Sequence, residues 1–227
     1  MAESVTVSHA GAFAASTIGR KVVMAVTGLA LLGFVFAHML GNLQMFLPDH
    51  AAINHYGRFL REMLHGGGIW MLRAGLLGAV ILHIGTAWSL TRTSWKARPV
   101  PYKVVTPDAS TYASRTMRWS GPILALFIVY HLLHMTVGSV HPAFVDGDVY
   151  RNVIVGFSVW PVSLVYVIAM LALGLHLRHG AWSMLQSLGV SHPRWDGVRN
   201  LAATVVTAII VLGFISVPLA VLAGVLK

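Results

Sequence analysis

Five long apolar runs, separated by polar loops, dominate the sequence. A hydrocarbon core about 30 Å thick requires roughly 20 predominantly apolar residues in a helix. Stretches of that length occur at about 21–46, 69–91, 119–140, 154–178 and 200–226, with Asp, Glu and Lys only at their edges. Arg73 and Arg178 lie near span ends, where long side chains can reach the interface. The pattern predicts an all-α integral membrane protein, a five-transmembrane-helix bundle forming a single domain over residues 1–227.

Composition favours a lipid environment. Hydrophobic residues make up 56% of the 227 residues, charged residues only 10%, and the mean hydropathy is +0.73. Charge this sparse cannot cover a water-facing surface, whereas a lipid bilayer requires no such cover. The net charge of +9 would also suit nucleic acid, but the basic residues lie mostly in short loops rather than on one face. A bilayer, and no nucleic acid, is therefore the expected partner.

Lys and Arg are distributed unequally between the two sides of the predicted bundle. Five of the sixteen fall on one side, and eleven fall on the side of the N-terminus: Arg20, Lys21, Arg92, Lys96, Arg98, Lys103, Arg115, Arg118, Arg178, Arg194 and Arg199. Because cytoplasmic loops are enriched in these residues, the N-terminus is predicted inside and the C-terminus outside. Loops 92–118 and 179–199 would lie inside, and loop 47–68 outside.

Twelve histidines without any cysteine are the unusual feature of the composition. The absence of cysteine excludes disulfides, iron–sulfur ligation by this chain and thioether-attached haem. Six histidines fall outside the spans and are expected at the surface: His9, His50, His55, His65, His141 and His192. The other six lie within the first four spans or at their ends: His38, His83, His131, His134, His176 and His179. A neutral imidazole in hydrocarbon is costly unless its nitrogens are occupied, and a metal is one suitable occupant.

Depth along the spans predicts how these histidines pair. The first and third spans run in the same direction, and His38 and His131 both lie past their midpoints, toward the outer side. The second and fourth spans run the other way, which brings His83 and His176 toward the inner side. Equal depth allows each pair to hold one object between two helices. His134 lies three residues after His131 on the same face, so depth alone would also allow it to pair with His38.

The available ligands favour haem over an all-protein metal site. With no thiolate or carboxylate inside a span, zinc or iron would have only two strong protein ligands. Two histidines on separate helices suit the axial positions of a haem, whose porphyrin supplies the other four nitrogens. Small residues one turn from His83 and His176 would leave room for a macrocycle, although they would also allow close helix packing. These residues are Ala79, Thr86, Ala87, Ala172 and Gly180.

Four segments resemble one family of membrane proteins. They are "GRKVVMAVTGLALLGFVFAHMLGNL" (Gly19–Leu43), "NHYGRFLRE" (Asn54–Glu62), "SGPILALFIVYHLLH" (Ser120–His134) and "LHLRHGAWSMLQSLG" (Leu175–Gly189). Together, and in this order, they resemble the single-chain, five-helix cytochrome b anchor of succinate dehydrogenases and fumarate reductases. Each segment is only moderately specific, but the combination spans nearly the whole chain.

The resemblance implies two b haems with iron held axially by histidines. Carried over by position, His38 and His131 would ligate the outer haem, and His83 and His176 the inner haem. His134 and His179 are secondary candidates, as ligands or as neighbours of a haem. The resemblance also implies a flavoprotein subunit and an iron–sulfur subunit docked on the cytoplasmic face of a bacterial inner membrane, with loop 92–118 in the docking surface. The chain itself would not act on succinate; it would be the quinone-reactive subunit.

A membrane quinone, often menaquinone in this family, is the implied redox partner. Asn42 and Gln44 lie one to two turns beyond His38, where amides could hydrogen-bond quinone carbonyls. Arg58 and Glu62 in the following loop could exchange protons. Capping of the helix end would explain the two amides equally well.

Two other functions fit part of the pattern. A transporter lined by histidines would require polar residues along a pore and broken helices, yet the spans are interrupted by proline only at Pro122, Pro161 and Pro218. A haem b subunit of another quinone-linked dehydrogenase or hydrogenase would share the haems and differ in its partner. Only the family resemblance argues against this last function.

Overall fold

The computed structural model describes Phe13, residues 16–97 and residues 112–227, with only the backbone of residues 112–115. His9, Arg98, Lys103 and most of the predicted docking loop 92–118 lie outside the described residues. Residues 16–97 and 112–227 form seven α-helices, which are in chain order α1 Thr17–Leu43, α2 Ala52–Glu62, α3 Gly67–Lys96, α4 Tyr112–Leu132, α5 Val149–Ser158, α6 Trp160–Ser187 and α7 Asp196–Leu222. Short 3-10 turns at Gln44–Phe46 and Pro193–Trp195 and a π-helical turn at Leu133–Val137 adjoin α1, α7 and α4.

Five segments are long and apolar enough to cross a membrane. They are Thr17–Phe46, Gly67–Lys96, Thr116–Val137, Trp160–Ser187 and Pro193–Leu222. Large apolar side chains cover their outer surface, for example Leu126 at 74% and Leu212 at 67% exposure. Such side chains face lipid at no cost, because lipid tails are as apolar as they are. The prediction of an all-helical protein with five membrane spans is confirmed, and the part of the chain described here contains no strand.

The fourth span begins and ends later than the sequence pattern predicts. The predicted segment 154–178 is interrupted at Val159, whose φ of −83° and ψ of 97° are extended. Pro161 lies in the first turn of α6, where its missing N–H costs no intrahelical hydrogen bond. The Ser163 hydroxyl donates to the Phe157 carbonyl at 2.7 Å and satisfies one group freed by the break. Because α6 continues to Ser187, His179 lies inside a helix rather than just after one.

The helices of the bundle do not all pack against one another. Helix α1 packs on α3, α6 and α7, and α6 packs on α4 and α7. Among the described residues, α1 against α4 and α3 against α6 make at most marginal backbone contact. Two pairs of helices therefore stand apart across the bundle, and side chains must bridge the space between them.

The two short helices cover the end of the bundle where α1 finishes, which we call the α2–α5 end. Asn54 of α2 donates to the Asp148 carboxylate at 3.0 Å and accepts from the Tyr150 backbone N–H at 2.9 Å, which joins α2 to α5. A buried apolar cluster lies beneath them and comprises Met45, Ile53, Val153, Phe157, Tyr166, Val217, Val221 and Leu226. At the opposite end, Arg20 donates to the Ser89 hydroxyl at 2.7 Å and ties the start of α1 to α3.

Candidate functional site

The first histidine pair bridges α1 and α4, one of the two helix pairs that stand apart. The ring centres of His38 and His131 are 5.8 Å apart, and their planes are inclined at 76°. His38 also stacks on Phe34, with ring centres 5.5 Å apart, and contacts Phe214 at 5.8 Å. Both imidazoles are half-buried. The first predicted pair is therefore brought together, at the depth nearer the α2–α5 end.

The second pair bridges α3 and α6, the other separated helices. The ring centres of His83 and His176 are 6.2 Å apart, with an interplanar angle of 61°. Gly28 of α1 lies against this pair, because a Cβ added there would be 3.3 Å from His83 Cε1. Along α6, Gly180 lies one turn from His176, and a Cβ there would have no protein atom within 4 Å. The predicted space beside His176 is therefore present, and α1 approaches His83 closely.

Hydroxyl groups determine which nitrogen of His83 is free. Thr27 Oγ1 lies 3.2 Å from His83 Nδ1 and 2.8 Å from the Val23 carbonyl. A carbonyl can only accept, so the threonine proton points to Val23 and the threonine oxygen accepts from His83 Nδ1–H. Neutral His83 then presents a bare Nε2, the form required to ligate a metal.

The same arrangement recurs at His176. Ser120 Oγ lies 3.4 Å from His176 Nδ1 and 3.4 Å from the Met117 carbonyl, which takes the serine proton. His131 Nδ1 in turn lies 3.2 Å from the Tyr166 hydroxyl. In three of the four paired histidines, Nδ1 has a hydroxyl partner and Nε2 remains available, as is usual for histidines that bind a metal.

The spacing of both pairs fits a metal held between two imidazoles. A metal lies about 2 Å from a ligating imidazole nitrogen, and the ring centre about 1 Å behind it, so two rings sharing a metal have centres about 6 Å apart. The observed separations are 5.8 and 6.2 Å. Within the described ranges, no group of three or more His, Cys, Asp or Glu side chains is arranged to hold a metal. Two histidines on widely spaced helices suit a cofactor that brings its own equatorial ligands, as haem does.

His134 occupies a different environment from His131. It lies in the π-helical turn, is fully buried, and stacks on Tyr130 with ring centres 5.5 Å apart. Its Nδ1 lies 2.9 Å from the Tyr166 hydroxyl. The structure thus places His131 beside His38 and His134 behind His131, a distinction that depth alone left open.

The prediction that His141 lies at the surface is wrong, because its side chain is buried and the residue is only 9% exposed. Its Nε2–H donates to the Asn152 carbonyl at 2.9 Å, and its Nδ1 accepts from the Ala143 N–H at 3.0 Å. The ring stacks on His134, with centres 4.9 Å apart. Nothing in the apolar pattern marks this position, since burial results from α5 folding back over the loop. The other described histidines outside the spans are exposed as predicted: His50, His55, His65 and His192.

His179 and the four quinone candidates make fewer contacts with other candidate site residues than the paired histidines do. His179 is half-buried, with its ring centre 6.3 Å from that of Trp182. Asn42 and Gln44 are half-buried, whereas Arg58 and Glu62 on α2 are exposed. Tyr56 of α2 packs against Gly41, so the end of α1 and α2 are neighbours. No hydrogen bond or ion pair joins the four quinone candidates within the described ranges, and neither amide side chain caps α1.

The small side chains expected to leave room for a macrocycle lie near His83 and His176, and one of them bonds to the backbone of its own helix. Thr86 Oγ1 donates to the Leu82 carbonyl at 2.7 Å and lies 3.1 Å from the His83 carbonyl. Its hydroxyl is therefore used within α3. Ala79, Ala87 and Ala172 are half-buried on the same helices as His83 and His176.

Five apolar spans and two histidine pairs define the class: a multi-pass helical membrane protein in which histidine pairs bridge separated helices. The model of the succinate dehydrogenase/fumarate reductase transmembrane subunit family matches residues 96–221, more than half of the chain. The chain belongs to this family, as the sequence resemblance indicates. No curated protein and no solved structure matches it. The matched segment contains His131 and His176, whereas His38 and His83 precede it.

Family membership indicates which cofactors and partner subunits are typical of such a membrane protein. The family comprises cytochrome b membrane subunits that generally bind haem and quinone. Membership implies a complex with flavoprotein and iron–sulfur subunits at the membrane. It favours this setting over a transporter or a subunit of a different dehydrogenase.

Proposed function

We propose that this chain carries electrons between the iron–sulfur subunit and a membrane quinone through two b haems. His38 and His131 would be the axial ligands of one haem, and His83 and His176 those of the other. The observation that carries the proposal is the presence of two histidine pairs, each bridging helices that stand apart, with ring centres 5.8 and 6.2 Å apart.

A haem held between two histidines supplies reversible one-electron oxidation and reduction of its iron. The residues of this chain would supply position and insulation. Thr27 and Ser120 orient the inner ligands through Nδ1, and Phe34 and Phe214 surround His38 with apolar rings. On α1, Thr27 and His38 are separated by about 16 Å along the helix axis. The two sites would therefore follow one another along the bundle, which suits stepwise transfer from one side to the other.

The direction of the path follows from the proposed orientation. With the N-terminus inside, the His83–His176 site lies nearer the cytoplasmic face, where the iron–sulfur subunit would dock. Arg92 and Lys96, at the exposed end of α3, belong to that face. The His38–His131 site lies nearer the outer face of a bacterial inner membrane. The chain would serve as the quinone-reactive subunit and would not act on succinate itself.

Quinone exchange is proposed at the α2–α5 end. Asn42 and Gln44 offer amide groups whose side chains bond to no other described residue, so they are available to quinone carbonyls. Arg58 and Glu62 are exposed on the neighbouring α2 and could exchange protons with water. Menaquinone is the proposed quinone.

The test is haem content after single histidine substitutions. The purified wild-type chain should contain two b haems by pyridine haemochrome assay. Each of His38→Ala, His131→Ala, His83→Ala and His176→Ala should contain one, because one axial nitrogen is lost from one site. His55→Ala is the matched control, since His55 is exposed outside the spans and its loss should leave two haems.

The assay separates the proposal from its alternatives. Absence of haem from a well-folded wild-type chain would contradict the proposed electron-transfer function. Retention of two haems in all four variants would show that the paired histidines are not the ligands.

A further inference from the structure

Behind His131 lies a tyrosine that bonds two histidines at once. We propose that Tyr166 is a positioning residue: its hydroxyl fixes the ring orientation and tautomer of His131 and lowers the redox potential of the site that His131 shares with His38. The proposal rests on the proposed function, since it assigns the residue that tunes one of the two sites. The resemblance and the family match assign no role to Tyr166.

The direction of the two hydrogen bonds follows from counting protons. The Tyr166 hydroxyl lies 3.2 Å from His131 Nδ1 and 2.9 Å from His134 Nδ1. A phenol has a single proton and can donate only once. If His131 offers Nε2 to a metal, its Nδ1 carries the hydrogen and must donate to the phenol oxygen. The phenol proton is then donated to His134 Nδ1, so the bonds run from His131 to Tyr166 to His134.

Packing on both sides holds the His134 ring beside the Tyr166 hydroxyl. The π-helical turn Leu133–Val137 carries it, and such turns often occur at functional sites. Its ring lies between Tyr130 and His141, with centres 5.5 and 4.9 Å away, and Gly156 leaves no room beside it. His141 uses both of its nitrogens on Asn152 and Ala143 and has none to offer His134.

The far nitrogen of His134 has no partner of its own. His134 is fully buried, and its Nε2 has no hydrogen-bond partner among the described residues. An orphaned buried nitrogen is unfavourable and requires an explanation. With Nδ1 as the acceptor of the Tyr166 proton, His134 keeps its hydrogen on the orphaned Nε2. Among the described residues, the Tyr166 hydroxyl is therefore the hydrogen-bond partner of the His134 ring.

The two sites differ in how their histidines are supported. At the His83–His176 site, Thr27 and Ser120 each support one ligand. At the other site, His38 contacts aromatic rings, and its own ring forms no hydrogen bond in the described part of the chain. Among the described residues, Tyr166 therefore supplies the single hydrogen bond to the His38–His131 pair, and its removal should affect that pair alone.

The expected effect follows from ligand basicity. An acceptor at Nδ1–H makes the imidazole a stronger electron donor, which favours the oxidised iron. Removing the acceptor should therefore raise the midpoint potential of that site. We expect a rise of up to about 59 mV. For a one-electron couple, that rise is a tenfold change in the ratio of oxidised to reduced haem at a fixed potential.

The experiment is a spectroelectrochemical titration of Tyr166→Phe with electron paramagnetic resonance of the oxidised protein. We expect two haems to be retained, one midpoint potential to rise, and one low-spin signal to shift because the His131 ring is released. The second haem should keep its wild-type potential and signal. Tyr130→Phe is the matched control: it removes a hydroxyl from the ring stacked on His134, and that hydroxyl bonds to no described residue.

The possible results of this titration distinguish the role of Tyr166 from the proposed electron-transfer function. Wild-type potentials and signals in a Tyr166→Phe chain that holds two haems would overturn the role of Tyr166 and leave the proposed function intact. Absence of haem from the wild-type chain would overturn the proposed function itself. If Tyr166→Phe fails to fold, His134→Phe tests the same bonds, because it removes the acceptor of the phenol proton. A smaller rise at the same site would support the proposal, and unchanged potentials would overturn it.

Discussion

At the scale of single residues, hydroxyl groups determine the chemistry available at membrane depth. Thr27 and Ser120 each bond a backbone carbonyl of the preceding turn, which leaves their oxygens as acceptors for a histidine Nδ1–H. A polar side chain within a span is costly unless it has a partner, and here each hydroxyl serves two. The consequence is a set of neutral histidines with one predetermined free nitrogen.

Thr27→Val tests this at the inner site. Valine has nearly the same shape but no hydroxyl, so His83 loses the threonine oxygen that accepts from its Nδ1–H. Loss of such a supporting bond typically costs 10–100-fold in affinity, and we expect haem to leave the His83–His176 site faster by about that order. Transfer of haem to excess apomyoglobin, followed by absorbance, measures the rate.

The matched control for that experiment is Thr86→Val. Thr86 is on the same helix as His83, but its hydroxyl bonds only backbone carbonyls. Equal rates of haem loss in the two variants would contradict a specific role for Thr27.

At the scale of helices, the ends of spans were less predictable than their existence. The apolar run continues through residues 154–159, so hydropathy alone merges α5 with α6, and only Pro161 indicates the boundary. The π-helical turn after α4 has no distinct sequence pattern either. It carries His134, whose ring stacks on Tyr130 and His141 while His131 contacts His38, and the spacing of three residues does not predict this difference in neighbours.

Gly156→Ala tests the packing of α5 on that turn. A Cβ at this position would lie 2.9 Å from His134 Cε1 and 3.0 Å from His141 Nε2. The two rings are stacked and cannot move aside easily, so α5 must shift, and overpacking of this kind costs about 1–3 kcal/mol. We expect a lower midpoint of thermal unfolding in detergent, followed by circular dichroism.

Gly75→Ala provides the comparison for the same chemical change. A Cβ at Gly75 would have no atom within 4 Å, and alanine favours a helix more than glycine does. Its midpoint should be unchanged or higher. An unaltered midpoint in Gly156→Ala would show that α5 does not press on His134 and His141.

At the scale of the whole molecule, the sequence predicts the five spans and the partners of each histidine pair. Both follow from one-dimensional quantities, namely the length of an apolar run and the depth of a residue along it. The sequence does not predict the roles of Tyr166 and Thr27, because these roles depend on helix rotation and on distant contacts. Tyr166 lies 35 positions from His131, and Thr27 lies 56 positions from His83. His141 was misassigned for a related reason, since a fold-back of the chain, rather than a span, buries it.

The separated helices also make the proposed haems part of the fold. Among the described residues, α1 with α4 and α3 with α6 make at most marginal backbone contact, and histidine rings bridge each gap. A ligand that binds only the folded chain stabilises it, by about 2.7 kcal/mol when present at a hundred times its dissociation constant. Chain produced in cells blocked in haem synthesis should therefore unfold at a lower temperature and be cleaved faster by protease. His38→Ala, which keeps one pair, should fall between the haem-free and wild-type chains. Equal unfolding temperatures for all three would mean that the bundle closes without its cofactors and that the gaps between these helices are not maintained for them.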